Sequence, residues 1–175
     1  RLWDVVAQTD LIGLRLIVDS KAWRRVAHII SDEIFQRLSG DSGYFDTRIV
    51  YVAESGPQNK RLKRLAIMDQ DGENHQYLTD GSFLVLTPRF SPTTQEITYL
   101  AYFKNEPRVY IFNLETGQQE LLGSFPGMTF APRFSPSGDK IIMSLATKGI
   151  TDIYTMNLNN QKVTYSGTPG SGLRK

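Results

Sequence analysis

Two residues in a stretch with helical periodicity have the types and spacing needed for acid–base or metal chemistry. His28 and Asp32 are four positions apart, so on a helix they share a face and could form a general base or half of a metal site. The other histidine, His75, is distant along the chain, and no cysteine is present to complete a site. We therefore interpret the pair as structural, either a hydrogen bond on the helix surface or a contact between domains.

The acidic stretch Asp69–Asn74, DQDGEN, partly matches a calcium-binding loop. Such a loop needs alternate oxygen ligands, a glycine at its sixth position and a later glutamate. Here Gly72 is fourth and the later glutamate is missing, and two similar segments, NLETG and NLNNQ, lack the same carboxylates. The sequence thus predicts a hairpin turn, with no metal site and no cofactor.

A basic cluster, Asn59–Arg64 (NKRLKR), could contact phosphates through its four positive charges. It contains no aromatic residues, Leu62 and Leu65 favour a strand, and the net charge of the chain is only +2. We interpret the cluster as a solvated loop leading into a strand, with an acidic patch on a protein partner as the alternative. The sequence has neither a Gly-x-Ser-x-Gly nucleophile elbow nor a phosphate-binding loop, so it predicts no catalytic residues.

A repeat in the sequence predicts the strands on which several of these residues lie. PRFSP occurs at Pro88–Pro92 and again at Pro132–Pro136, 44 residues later, and Asn113 recurs as Asn157 in the same register. Each repeat has four short apolar runs, for example PRF, EITYLAY, RVYIFNL and QQELLG, separated by turn residues. The second run is apolar at successive positions, which is typical of a strand buried on both faces. Four-stranded sheets repeated in this way are the blades of a β-propeller.

The first 43 residues lie outside the repeat. Two apolar runs joined by Thr9 and Asp10 predict a hairpin, and the following stretch predicts an amphipathic helix with Ser20 as N-cap and Gly40 at its end. No apolar run approaches the roughly 18 residues of a membrane span. We expect a small domain over 1–43 and a partial propeller over 44–175, with blade one (47–80) lacking its innermost strand, blade two over 84–123 and blade three over 130–166.

The helix-to-propeller junction contains SDEIF and GYFDTRI, within Ser31–Ile49, and is followed by RLAIMDQDG and the PRFSP repeats. These residues resemble the TolB family of the Tol–Pal cell-envelope system. The resemblance covers the whole chain. It implies a mainly β fold: the end of a small α/β domain, as strand–strand–helix, and then roughly the first three blades of a six-bladed propeller.

The same resemblance implies a function. It indicates a non-catalytic periplasmic adaptor that does not insert into the membrane and supports outer-membrane integrity and constriction during cell division. The propeller of the family binds the peptidoglycan-associated lipoprotein, Pal. Its N-terminal segment, which is missing here, binds TolA.

The runs before each PRF predict a partner-binding surface. SFLVLT (Ser82–Thr87) and SFPGMTF (Ser124–Phe130) are expected as apolar loops beside the propeller channel, and exposed apolar clusters mark interfaces. The alternative is that these side chains pack between blades. Arginines that start the innermost strands would meet acidic groups of a partner. The expected contact residues are Leu84, Val85, Leu86, Thr87, Arg89, Met128, Thr129, Phe130, Ala131 and Arg133.

Two other functions stay open at this point. The propeller could belong to a serine-peptidase-type hydrolase whose catalytic domain, with its nucleophile elbow, lies outside this chain. Alternatively, Lys60–Arg64 could bind nucleic acid, which would make the affinity steeply dependent on salt.

Overall fold

The structure of the chain is a computed structural model that describes residues 1–17, 19–125, 127–147 and 150–166. The side chains of Ser20, Met128–Ala131 and Thr147 are outside this description. The helix is α1 (Trp23–Ser39). The strands are β1 (Leu2–Asp4), β2 (Thr9–Ile12), β3 (Arg48–Ser55), β4 (Leu62–Asp69), β5 (Gln76–Tyr77), β6 (Leu84–Phe90), β7 (Glu96–Phe103), β8 (Glu106–Asn113), β9 (Gln119–Ser124), β10 (Met128–Phe134), β11 (Lys140–Thr147), β12 (Ile150–Asn157) and β13 (Val163–Tyr165).

The strands assemble into small sheets in chain order. After the β1–β2 hairpin come a first sheet β3-β4-β5, a second sheet β6-β7-β8-β9 and a third sheet β10-β11-β12-β13. The first residues of β6 to β9 each precede those of β10 to β13 by 44 positions. The repeat in the sequence is therefore a repeat in the structure, and the prediction of a mainly β fold is confirmed.

The core lies between successive sheets. One cluster joins the first and second sheets, and another joins the second and third. Strand β7 contributes to both, because Tyr99 and Ala101 enter the first cluster while Leu100 enters the second. This burial on both faces was predicted from the continuous apolar run of β7, and it is the packing expected of propeller blades.

The chain divides into two compact units, each of which is described by itself. One comprises Arg1–Ile49 with Met68–His75, and the other comprises Val50–Ile67 with Gln76–Lys175. The division between residues 43 and 44 that the sequence indicated stays a prediction. Across the described residues, no helix has the length and apolar character that crossing a bilayer requires.

The N-terminal hairpin turns earlier than predicted. Asp4 of β1 pairs with Thr9 of β2, so Thr9 and Asp10 lie in a strand and residues 5–8 form the turn. The carboxylate of Asp4 accepts hydrogen bonds from the backbone N–H groups of Val6 at 2.9 Å and Ala7 at 2.8 Å. Aspartate stabilises turns in this way, which explains why the chain reverses directly after it.

The start of the helix also differs from the prediction, because Ser20 is not the N-cap. Asp19 takes this role for a 3₁₀ turn over Ser20–Ala22, since its side chain accepts a hydrogen bond from the N–H of Lys21 at 2.8 Å. The α-helix proper begins at Trp23. Aspartate and serine are both favoured N-caps, so residue type alone could not distinguish the two neighbours.

The end of the helix is confirmed. Gly40 adopts a φ of 83°, and its N–H donates to the carbonyl of Gln36 at 2.9 Å. A left-handed glycine at this position is a common helix terminator. The apolar stripe of α1 is partly covered among the described residues: Phe35 packs edge to face on Tyr44 and Phe45, whereas Trp23 and Leu38 near the helix ends are exposed.

The recurring asparagines Asn113 and Asn157 cap the β8–β9 and β12–β13 loops. The side-chain oxygen of Asn113 accepts hydrogen bonds from the N–H groups of Glu115 at 2.9 Å and Thr116 at 3.0 Å, and Asn157 caps its loop in the same way. The hairpins lie where the sequence predicted them. Their loops are longer than tight two-residue turns because the side-chain cap encloses additional residues.

Candidate partner-binding site

The predicted contact segment Leu84–Thr87 lies in a strand and not in a loop. It forms the first half of β6, with Leu84 opposite Tyr102 and Leu86 opposite Leu100 of β7. The expectation of an apolar loop was therefore wrong. The backbone of these residues continues the hydrogen-bonded ladder of PRF toward the start of the sheet, and β10 likewise begins at Met128.

Side chains of β6 alternate between the core and the surface. Val85 is 2% exposed and packs in the cluster between the first and second sheets, so it is not available to a partner. Leu84 is 42% exposed, and Leu86 is half-buried against the second cluster. For Val85 the alternative of packing between sheets is the correct one, whereas Leu84 remains accessible.

A β-bulge interrupts β6 in the middle of the predicted site. Its register with β7 shifts between Leu86 and Arg89, and β10 shifts at the matching positions Phe130 and Arg133. Sequence reasoning missed this feature. The proline of each PRF is the signal that could have revealed it, because proline donates no hydrogen bond to a ladder and is tolerated in strands at bulges.

The bulge is followed by a buried proline and an exposed arginine in both repeats. Pro88 and Pro132 are buried, while Arg89 and Arg133 are exposed. The sequence predicted that these arginines start the innermost strands. Instead, they lie near the ends of β6 and β10. Their exposure nevertheless leaves both guanidinium groups accessible to carboxylates of a partner.

The bulge also stores backbone strain at Thr87, whose φ is 43°. A β-branched residue rarely adopts this region, and the strain costs about 1 to 3 kcal/mol. We expect Thr87→Gly to stabilise the protein by up to about 1 kcal/mol, since relief of strain exceeds the entropy cost of glycine. The control Thr164→Gly, in β13, should destabilise it by about 1 kcal/mol. Urea denaturation measures both, and equal losses would contradict the strain at Thr87.

An aromatic and basic group lies beside the first residue of β6. We call Phe83, Phe103, Lys104 and Arg108 the Phe103 cluster. The rings of Phe83 and Phe103 meet edge to face at 5.2 Å between centroids. The guanidinium carbon of Arg108 lies 4.5 Å from the Phe103 centroid, and the Lys104 ammonium lies 5.5 Å from it. The sequence did not reveal this cluster, because it depends on the β7–β8 turn bringing these residues together.

The basic cluster Asn59–Arg64 is partly engaged inside the protein. Strand β4 begins at Leu62, as the sequence predicted for the end of this segment. Lys63 forms an ion pair with Glu54 at 2.6 Å, and its hydrogen bond lowers the pKa of that carboxyl group. Arg64 lies over the ring of Tyr77 at 4.5 Å. Two of the four positive charges therefore have partners within the first sheet.

His28 pairs with Asp71 of the β4–β5 loop and not with Asp32. Its Nε2 lies 3.1 Å from the Asp71 carboxylate, which also binds the guanidinium group of Arg24. The pKa of Asp71 is lowered mainly by the hydrogen bond from the backbone N–H of Glu73. The hydrogen bond with His28 and the positive charge of Arg24 lower it further. The contact joins α1 to a loop of the same unit. In the described part of the chain, no three His, Cys, Asp or Glu residues are grouped to hold a metal ion.

The second half of the predicted site lies in β10. The side chains of Met128, Thr129, Phe130 and Ala131 lie outside the described residues. Their role in contacting a partner stays a prediction, supported by their position in β10, the repeat counterpart of β6.

Comparison with known proteins connects this geometry to one family. The sequence profile described as the TolB beta propeller domain matches residues 35–168. The Tol-Pal system protein TolB of Paramagnetospirillum magneticum is 64% identical over 130 residues, which cover 74% of this chain and 29% of that protein. The matched part of the chain therefore spans less than a third of the length of this relative.

Solved structures show the same fold. The crystal structure of TolB from Acinetobacter baumannii has a TM-score of 0.87 and 32% identity, covering 98% of this chain and 43% of that chain. The Pyrococcus horikoshii acylaminoacyl peptidase has a TM-score of 0.55 over 66% of this chain and 22% of its own, at 11% identity. The second likeness is one of fold alone.

Proposed function

The chain belongs to the TolB β-propeller domain family, and from this we propose that it is part of a non-catalytic adaptor of the Tol–Pal system in the periplasm. Its propeller binds the peptidoglycan-associated lipoprotein, Pal. Through this contact it supports outer-membrane integrity and envelope constriction during division. We assign binding of TolA to an N-terminal segment outside these 175 residues.

The observation that carries the proposal is the surface of β6. Leu84 and Arg89 are exposed on either side of a bulge, in a strand that Val85 and Pro88 anchor in the core. Bulges re-aim side chains and occur next to binding sites. An accessible leucine and an accessible arginine on one strand provide the apolar contact and the charged group that protein interfaces combine.

A peptidase function is the second candidate, and it has weaker support. The likeness to the Pyrococcus enzyme is one of fold, which does not transfer an activity. Catalytic groups would also have to come from outside this chain, because the sequence contains no nucleophile elbow. Nucleic-acid binding is the least supported, since Lys63 and Arg64 already have partners in the first sheet.

Calorimetric titration of the globular domain of Pal from P. magneticum into this chain tests the proposal, with full-length TolB of that organism in parallel. We expect binding by both. Leu84→Asp should weaken it at least about tenfold, because a charge replaces an apolar contact. Leu121→Asp is the matched control, since Leu121 is 44% exposed but lies in the outer strand β9, and it should leave the affinity unchanged.

Each outcome distinguishes a part of the proposal. Equal affinities for Leu84→Asp and Leu121→Asp would remove β6 from the binding site. Absence of Pal binding by the wild-type chain and by full-length TolB would show that the partner is wrong. Binding by full-length TolB alone would locate the site outside this chain.

A further inference from the structure

Arg108 lies over an aromatic ring, and no described residue accepts a hydrogen bond from its guanidinium group. Its guanidinium carbon lies 4.5 Å from the Phe103 centroid, and its side chain is 26% exposed. Its Nε is buried without a hydrogen-bond partner. Among the described residues, none accepts a hydrogen bond from its terminal nitrogens. A planar group with five N–H donors is thus positioned, partly exposed and without an acceptor among the described residues.

The nearby carboxylate of Glu106 does not change this. It lies 3.7 Å from the Arg108 Nη2 nitrogen, beyond hydrogen-bonding distance, and the Glu106 side chain is 61% exposed. An exposed ion pair of this length contributes little, since water and salt screen it. Arg108 therefore retains its capacity to bind another carboxylate.

The repeat provides an internal comparison. Arg64 precedes Arg108 by 44 positions and also lies 4.5 Å from an aromatic ring, that of Tyr77. Near Arg64 is Asp80, whose pKa is lowered by hydrogen bonds from Ser82 and also by the charge of Arg64. The residue 44 positions after Asp80 is Ser124, which is opposite Arg108 in the β8–β9 ladder. The Nε of Arg64 is also buried without a hydrogen-bond partner. The difference between the sheets is that the first has the negative charge of Asp80 near its arginine, whereas the second has a neutral serine at the matching position.

We propose that the missing carboxylate comes from the protein partner, as an aspartate or glutamate beside an apolar residue that docks on the Phe103 cluster and Leu84. Arg108 binds the carboxylate through paired N–H groups, and Lys104 adds a second positive charge. Exposed ring surface of Phe83 and the accessible Leu84 receive the apolar neighbour. This inference rests on the proposed function, because the segment belongs to Pal.

The test inserts the carboxylate into the protein itself. Ser124→Asp places a carboxylate directly opposite Arg108 in the β8–β9 ladder, so it should pair with Arg108, raise the melting temperature and weaken binding of the Pal globular domain at least about tenfold. Ser124→Asn introduces a side chain of the same shape as aspartate but without its charge, so it should change neither the melting temperature nor the affinity for Pal. A purely structural role for Arg108 would give the higher melting temperature with no change in affinity.

Removal of Arg108 provides the second measurement. Arg108→Gln should weaken Pal binding about tenfold or more, and Arg108→Lys less, because lysine keeps the charge but not the paired geometry. Lys162→Gln removes an exposed charge from another strand end and serves as control. Unchanged Pal binding by Ser124→Asp and Arg108→Gln overturns this inference and leaves the proposed function standing. If the wild-type chain does not bind Pal, this inference is overturned, and if full-length TolB does not bind Pal either, the proposed function is overturned with it.

Discussion

Replacing Gly43 by alanine should lower the free energy of unfolding of the N-terminal unit by at least about 3 kcal/mol. A Cβ at this position would lie 2.1 Å from the Oδ1 of Asp32 and 2.5 Å from its Cα, which belongs to the backbone of α1. The carboxylate cannot move aside without cost, because it accepts hydrogen bonds from the N–H groups of Phe45 at 2.7 Å and Asp46 at 2.9 Å. Far-UV circular dichroism during urea denaturation measures the loss.

Gly13 provides the matched control for this substitution. A Cβ there meets no atom within 4 Å, so Gly13→Ala should change the stability by no more than about 0.5 kcal/mol. Similar stabilities of the two variants would show that the segment before β3 does not lie against α1 in solution. A large loss at Gly43 alone would establish that the helix and this segment are locked together through Asp32.

The role of Asp32 shows what sequence spacing can and cannot predict. Its distance from His28 along the helix correctly places both residues on α1, and the interpretation of the histidine as structural agrees with its contact to Asp71. The partners of Asp32 are backbone N–H groups at positions 45 and 46. No residue type marks a backbone donor, so only the folded path of the chain reveals this contact.

The repeat made the sheets predictable, whereas the bulge was not. Apolar periodicity places β7 and β8 because burial on both faces needs apolar residues at nearly every position. A bulge depends on the register of two strands and not on composition. The same limit explains why Leu84–Thr87 were expected in a loop, since four apolar or β-branched residues before PRF fit a loop or a longer strand equally.

Sequence reasoning also identified the right part of the candidate site but not its chemistry. Leu84 and Arg89 are accessible as expected, while Val85 belongs to the core. Arg108 was not singled out, because its significance comes from Phe103 beneath it and from the serine opposite it. Comparing Arg64 with Arg108 requires knowing that each lies on an aromatic ring, which spacing alone does not establish.

Truncating Ile141 should cost about 2 to 5 kcal/mol, because it tests the packing between the second and third sheets. Ile141 is 0% exposed and shares a cluster with Leu100 and Val109 of the neighbouring sheet. Ile141→Ala would leave a cavity where the two sheets meet. The rigid ladder between β11 and β12, paired over the full length of both strands, limits how far the site can collapse to fill it.

The next residue in the same strand is the control. Ile142 is 43% exposed on the opposite face of β11, so Ile142→Ala removes the same atoms and should cost less than about 1 kcal/mol. Urea denaturation followed by tyrosine fluorescence and circular dichroism gives both values. If the two substitutions cost the same, the third sheet does not pack on the second through this face. A large difference is expected instead, since successive sheets stabilise each other through the residues that alternate inward, as blades of a propeller do.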